Sequence, residues 1–210
     1  MEVKIPISHK KQTLPGLLEI PSNAKGIVLF AHGSGSSRLS PRNQYVAKSL
    51  QNSGIATLLF DLLTVEEEAI DDQTAELRFN IPFLAARLSD ATRWIIKHYP
   101  NLTIGYFGAS TGAAAALVAA AEFGSKINAV VSRGGRPDLA KNALSQVISP
   151  TLLIVGSLDI TVISLNEMAR DALTCTKKLN IIEGATHLFE EKGKMEAVTK
   201  AALEWFNTYL

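Results

Sequence analysis

The chain of 210 residues contains a single cysteine, Cys175, so no disulfide can close within it. It also lacks a membrane-length apolar run. The longest unbroken apolar segment, Ala113–Ala121, covers nine residues, whereas a spanning helix needs roughly 20. Charge of either sign is not in excess: 21 Lys and Arg face 20 Asp and Glu, for a formal +1. That balance gives no general field for a nucleic acid or an anionic membrane, so charge recognition has to be local. The start, MEVKIPISHKKQTLPG, has no apolar stretch of the secretory kind. Together with the lone cysteine, this gives the expectation of a reducing, cytoplasmic setting. The four histidines and one cysteine show no HExxH or CxxC spacing, and no metal is expected. Repeats, long Pro/Gly/Ser linkers and low-complexity tracts are missing as well.

What is present is a globular composition. Hydrophobic residues make up 47% and charged residues 20%, enough apolar material for a large core. The length predicts one domain over residues 1–210. Two β-rich segments open the chain, Val3–Ser8 and Leu17–Ile20, with a turn signal at Pro15-Gly16. Six short apolar runs follow: Gly26–Ala31, Ile55–Phe60, Thr103–Phe107, Ala129–Ser132, Leu152–Val155 and Lys178–Ile182. Such runs suit strands covered on both faces. Between them lie helix-period segments at Pro41–Asn52, about Asp72–His98, Gly112–Phe123, Leu139–Val147, Ile163–Leu173 and Lys194–Tyr209. The alternation predicts an α/β fold with a mainly parallel twisted sheet, helices on both faces and an antiparallel N-terminal edge. The acidic residues Glu66–Glu68, Asp71 and Asp72 read as a solvated loop and first helical turn.

In an open α/β sheet, chemistry gathers at the turns after the strands. There the sequence carries Gly108-Ala109-Ser110-Thr111-Gly112, a GxSxG pattern between the strand TIGYF and the helix AAAALVAAA. A serine on so sharp a turn has a strained backbone, and glycines two residues before and after it let strand and helix approach. The Ser110 hydroxyl is a weak nucleophile unless a base takes its proton and a third group orients that base. His187 follows the last strand and Asp159 the one before, giving the order Ser, Asp, His. Their separations, 49 and then 28 residues, leave room for the intervening strand–helix units. His9, His32 and His98 compete poorly as the base, and Asp138 and Glu183 are alternatives to Asp159. His32-Gly33-Ser34-Gly35-Ser36 follows the first parallel strand, where backbone N–H groups turned inward by glycine can hold an oxyanion. The amides of Ser34 and Thr111 are the expected donors. No GxxxxGK[ST] or GxGxxG pattern supports a nucleotide site.

Taken together, His32-Gly33, Gly108–Gly112, Asp159 and His187 resemble the α/β-hydrolases, and most of all their small dienelactone-hydrolase-like branch. The resemblance spans nearly the whole chain. It implies a Ser-His-Asp triad, an acyl-enzyme intermediate, hydrolysis of a carboxylic ester or related acyl bond of a small molecule, and no cofactor. It departs at the nucleophile, because dienelactone hydrolases proper carry cysteine where this chain has Ser110. Only Arg133–Ser149 separates two successive strands where many members insert a lid, so no cap domain is expected and the site should be open. Leu62–Asp72 and Arg133-Gly134-Gly135-Arg136 should border it. Arg133 and Arg136 could pair with an anionic ester or lactone, or with Asp138, Asp61 or the acidic patch. Two other readings stay open: a thioesterase, amidase or acyltransferase using the same triad, and a non-catalytic scaffold that binds a ligand or partner.

Overall fold

The computed structural model describes residues 1–8 and 11–210. His9 lies outside the described residues. The elements run β1 (Glu2–Pro6), β2 (Thr13–Glu19), β3 (Gly26–Ala31), α1 (Pro41–Asn52), β4 (Ala56–Phe60), α2 (Val65–Thr74), α3 (Ile81–His98) and β5 (Thr103–Ala109), then α4 (Thr111–Phe123), β6 (Ile127–Arg133), β7 (Thr151–Gly156), α5 (Ile160–Ala172), β8 (Lys177–Ile182) and α6 (Lys194–Tyr209). The strands form one sheet of order β1-β2-β4-β3-β5-β6-β7-β8. The pairs β1–β2 and β2–β4 are antiparallel, and β4 through β8 run parallel. This is the mainly parallel sheet with an antiparallel edge that the alternation predicts.

Strand periodicity sorts the core into two layers. In β3, Ile27, Leu29 and Ala31 pack toward α3 and α4, whereas Val28 and Phe30 pack toward α1 and α6. Successive side chains point to opposite faces, so a strand covered on both sides has to be apolar throughout. All six residues of β3 and all five of β4 are buried. The helical run Ala113–Ala120 is alanine apart from the buried Leu117 and the half-buried Val118, and α4 lies against both the sheet and α3.

Three expectations change. Pro15 and Gly16 do not turn; they sit inside β2, opposite Lys4 and Val3. Leu14, Gly16 and Leu18 face inward in alternation, and that burial carries the strand through the proline. Glycine suits the position, since a β-carbon at Gly16 would stand 3.0 Å from Val3 Cγ2 and 3.2 Å from Leu58 Cδ1. The single helix expected over Asp72–His98 is two. Ala75 closes α2 in the left-handed region at φ 56°, and the Asn80 side chain caps α3 by accepting from the Phe83 amide. The segment Leu139–Val147 is not α-helical but part of a 3₁₀ stretch, Pro137–Gln146, broken at Lys141. Those 3₁₀ turns are all that stands between β6 and β7, and no cap domain is inserted there.

Glu66–Glu68 form the first turn of α2, as expected, with Thr64 and Glu67 closing a reciprocal cap. Asp71 departs from the solvated reading. Its buried carboxylate accepts from the amides of Leu77 (2.7 Å) and Arg78 (3.0 Å) and from Arg78 Nε (2.6 Å). The link between α2 and α3 is therefore tied around a buried acid.

Candidate active site

Ser110 occupies the junction of β5 and α4 with φ 50° and ψ −121°. An L residue enters this region only when its surroundings force it. The forcing is visible in the two glycines. A β-carbon at Gly108 would stand 2.5 Å from Ala113 Cα, and one at Gly112 would stand 2.1 Å from the Ala31 carbonyl oxygen. Strand and helix thus meet at backbone contact. The serine hydroxyl makes no capping bond to the helix it precedes, which leaves it free for other chemistry. Ser110 N–H donates to the Arg133 carbonyl at 3.4 Å, and Arg136 N–H donates to the Ser110 carbonyl at 3.0 Å. The turn is held from both sides.

Asp159 and His187 come together through their loops. The Leu158 amide donates to the Ala185 carbonyl at 3.0 Å, and the Gly184 amide donates to Ser157 Oγ at 2.7 Å. A β-carbon at Gly156 would lie 2.2 Å from the Ala185 carbonyl oxygen, so only glycine lets the two loops interlock this closely. The outcome is a hydrogen bond of 2.6 Å between His187 Nδ1 and Asp159 Oδ2. The Asp159 side chain is mostly covered and the His187 ring is 40% exposed. Gly134 connects this pair to the serine. It follows the residue that accepts from Ser110 N–H, and its β-carbon position lies 3.0 Å from the His187 carbonyl oxygen and 3.6 Å from His187 Cε1.

The loop after β3 closes the other side. A β-carbon at Gly33 would stand 2.9 Å from Ser110 Cβ. Ser34 and Thr111 line one cleft together with Gly33, Leu62, Leu63 and Leu84. Thr111 is the first residue of α4, so its N–H has no intrahelical acceptor and points out of the helix end. The cleft is also lined by Glu68, Asp71, Asp72 and Arg78. The Leu62–Asp72 segment therefore borders the site as expected.

His32 has a role that the sequence did not show. Its Nε2 accepts from the Leu62 amide at 3.0 Å, which places the ring proton on Nδ1, facing the Gly33 carbonyl at 3.0 Å. Burial holds its pKa below the ordinary imidazole value, with a smaller opposing contribution from the Gly33 carbonyl bond. A neutral His32 thus ties the loop after β3 to the loop after β4. The only advance signal was its place directly before Gly33.

The two arginines part company. Arg136 closes on Asp138 with both Nε (2.9 Å) and Nη2 (2.8 Å). Arg133 is 7% exposed, with its guanidinium 6.0 Å from the centroid of the Phe189 ring. Neither lines the cleft beside Ser34 and Thr111. Sequence reasoning also missed Asn166, which is wholly buried within α5 and donates to the Gly135 carbonyl at 3.0 Å. It anchors the Arg133–Arg136 turn, but nothing in a local pattern marks a helical asparagine for that task. Among the described residues no group of three or more His, Cys, Asp or Glu side chains is arranged to hold a metal ion, and no helix is long and apolar enough to cross a membrane.

Comparison with known proteins bears on the family and the fold. A model of the alpha/beta hydrolase domain matches residues 24–208. The crystal structure of a dienelactone hydrolase from Anabaena variabilis superposes with a TM-score of 0.96 at 57% identity, over 100% of this chain and 97% of that one. Est1E from Butyrivibrio proteoclasticus shares the fold at a TM-score of 0.80 and 16% identity, over 99% and 98% of the two chains. In sequence, the chain is 53% identical over 197 residues to a Mycobacterium tuberculosis protein of strain H37Rv named "Putative phosphoribosyl transferase". The match covers 93% of this chain and 44% of that relative, so this chain spans less than half of its length. By its family match and its near-complete overlap with a 57% identical relative, the chain belongs to the α/β-hydrolase family and has a dienelactone-hydrolase-like fold.

Proposed function

We propose that residues 1–210 form one serine hydrolase domain that cleaves a carboxylic ester or lactone of a small molecule through an acyl-enzyme on Ser110. The observation that carries this reading is the 2.6 Å bond between Asp159 and His187, in a chain that also holds Ser110 at φ 50° in a strand-to-helix turn. In the proposed cycle, His187 Nε2 takes the Ser110 proton as Oγ attacks the acyl carbonyl, and Asp159 stabilises the imidazolium. The amides of Ser34 and Thr111 hold the oxyanion. Collapse of the tetrahedral adduct breaks the acyl–oxygen bond, and the proton on His187 goes to the departing alcohol. Water, deprotonated by the same His187, then attacks the acyl-enzyme, releases the acid and restores the serine. No cofactor enters these steps.

Hydrolysis is favoured over phosphoribosyl transfer by the lining of the cleft. Its cation Arg78 is engaged by both Asp71 (2.6 Å) and Asp72 (3.0 Å), and a diphosphate would meet more carboxylates than free guanidinium groups. The name dienelactone hydrolase of the 57% identical relative supports an ester or lactone. Of the two arginines expected to meet an anionic substrate, Arg136 is occupied by Asp138, which leaves Arg133.

The test is intact mass after exposure to a fluorophosphonate, with peptide mapping, for the wild-type protein and Ser110→Ala. One adduct, mapped to Ser110 and missing in the variant, is expected. Folded wild-type protein that takes up no adduct would overturn the reading.

A further inference from the structure

We propose that Arg42 and Arg133 form a binding site for a small oxyanion, a phosphate or a carboxylate group, between the N-terminus of α1 and the loop that carries His187. Arg133 makes the case. Its side chain is 7% exposed, yet among the described residues its guanidinium has no ion pair or hydrogen bond, and its Nε is wholly covered without a partner. A buried cation without a counter-charge is costly, and proteins keep one where an anion or ordered polar group meets it. The charge that acts on it is another cation, Arg42.

Arg42 stands in a similar position. Its Nη1 donates to Glu190 Oε1 at 2.7 Å, but its Nε is covered and unpartnered. Glu190 is the neighbour in sequence of Phe189, the ring that Arg133 faces, so both guanidinium groups lie against the same short segment. Two guanidinium charges are met by one carboxylate. The other acid on the loop, Glu191, accepts from Thr186 N–H at 3.2 Å and Oγ1 at 2.5 Å, and it reaches neither arginine; its second oxygen is also covered and unpartnered. The first turn of α1 holds no acidic residue, so the positive end of the helix dipole beside Arg42 is not offset there. Burial, with Arg42 as a lesser cause, brings the Arg133 pKa down to about 10, which leaves it charged at neutral pH. An oxyanion with two or more acceptor oxygens can accept from both guanidinium groups.

The consequence concerns His187. An anion here joins α1 to Phe189 and Glu190, two and three residues beyond the proposed base, so its presence would stiffen that loop. Binding itself is independent of the hydrolase reading; only the link to turnover rests on it. The oxyanion is either free in solution or the carboxylate of an anionic substrate.

Thermal unfolding with inorganic phosphate at constant ionic strength tests the site in wild type, Arg42→Met and Arg133→Met. A saturable rise is expected in wild type, about 3–6 °C at ten times Kd, and it should be lost in Arg42→Met, whose partly exposed side chain makes that variant the safer one to fold. Wild-type protein with no saturable rise, or a rise that persists in both variants, overturns the site. Its source is read from turnover of p-nitrophenyl hemisuccinate and p-nitrophenyl butyrate. Competition by phosphate against the anionic ester alone assigns the site to the substrate's carboxylate. An equal effect of phosphate on both esters, or on neither, assigns it to a free anion. Should no ester turn over and no fluorophosphonate adduct form, the hydrolase reading fails while the phosphate-induced shift still decides the site.

Discussion

Replacing Ser110 by glycine is expected to make the protein more stable while it destroys the proposed nucleophile. Ser110 sits at φ 50° and ψ −121°, a region that costs a non-glycine residue of order 1–3 kcal/mol. Glycine enters it freely, but it returns about 0.5–1 kcal/mol through its greater freedom in the unfolded chain. The net expectation is a gain of about 0.5–2 kcal/mol, or about 1–8 °C in Tm for a chain of this length. Ser110→Ala is the control. The hydroxyl makes no capping bond, so alanine removes the nucleophile but keeps the strained backbone. Urea unfolding of the three proteins, with equal m-values, supplies the comparison. A Ser110→Gly protein no more stable than Ser110→Ala would refute the claim that the turn stores strain on behalf of the nucleophile.

Asp159→Asn should leave the fold intact and lower kcat by roughly 10⁴, the loss typical when the orienting carboxylate of a triad is neutralised, as measured on any ester the wild type turns over. His32, held neutral by burial, should make stability fall with pH below its ordinary value near 6.5, at up to about 1.4 kcal/mol per pH unit until the folded-state pKa is reached. The unfolded chain takes up a proton there that the fold refuses. His32→Gln should flatten that slope, and an unchanged slope in stability against pH would assign it to another group. Burial works to raise the Asp71 carboxyl, but the bonds from Arg78 and Leu77 outweigh it and hold the group below the ordinary carboxylate range. Its contribution is present above the unfolded value near 3.9 and is lost as pH falls through the folded one. Asp71→Ala should cost about 2–4 kcal/mol in denaturant unfolding at neutral pH.

The sheet, its helical layers and the loops bearing Ser110, Asp159 and His187 were legible because they depend on local pattern: apolar runs, helix periodicity and glycines at fixed offsets from a serine. The break between α2 and α3 was not legible. The left-handed Ala75 donates to the Asp71 carbonyl, and the link beyond it is tied by the Asp71 carboxylate, whose amide donors lie six and seven residues away. Pro15-Gly16 misled because turn chemistry there yields to burial of alternate residues between β1 and β4.

By itself, then, the sequence determined the α/β class, the order of the elements and which loops could carry chemistry, since these follow from nearest-neighbour sterics and from the periods of strand and helix. The partners of charged groups were decided only by the tertiary structure. Arg136 turning to Asp138, Arg133 left buried without a carboxylate, and His32 spent on tying two loops all depend on distances between segments far apart in the chain. A charge far along the chain finds its partner, or fails to, only once the sheet has set where each loop ends.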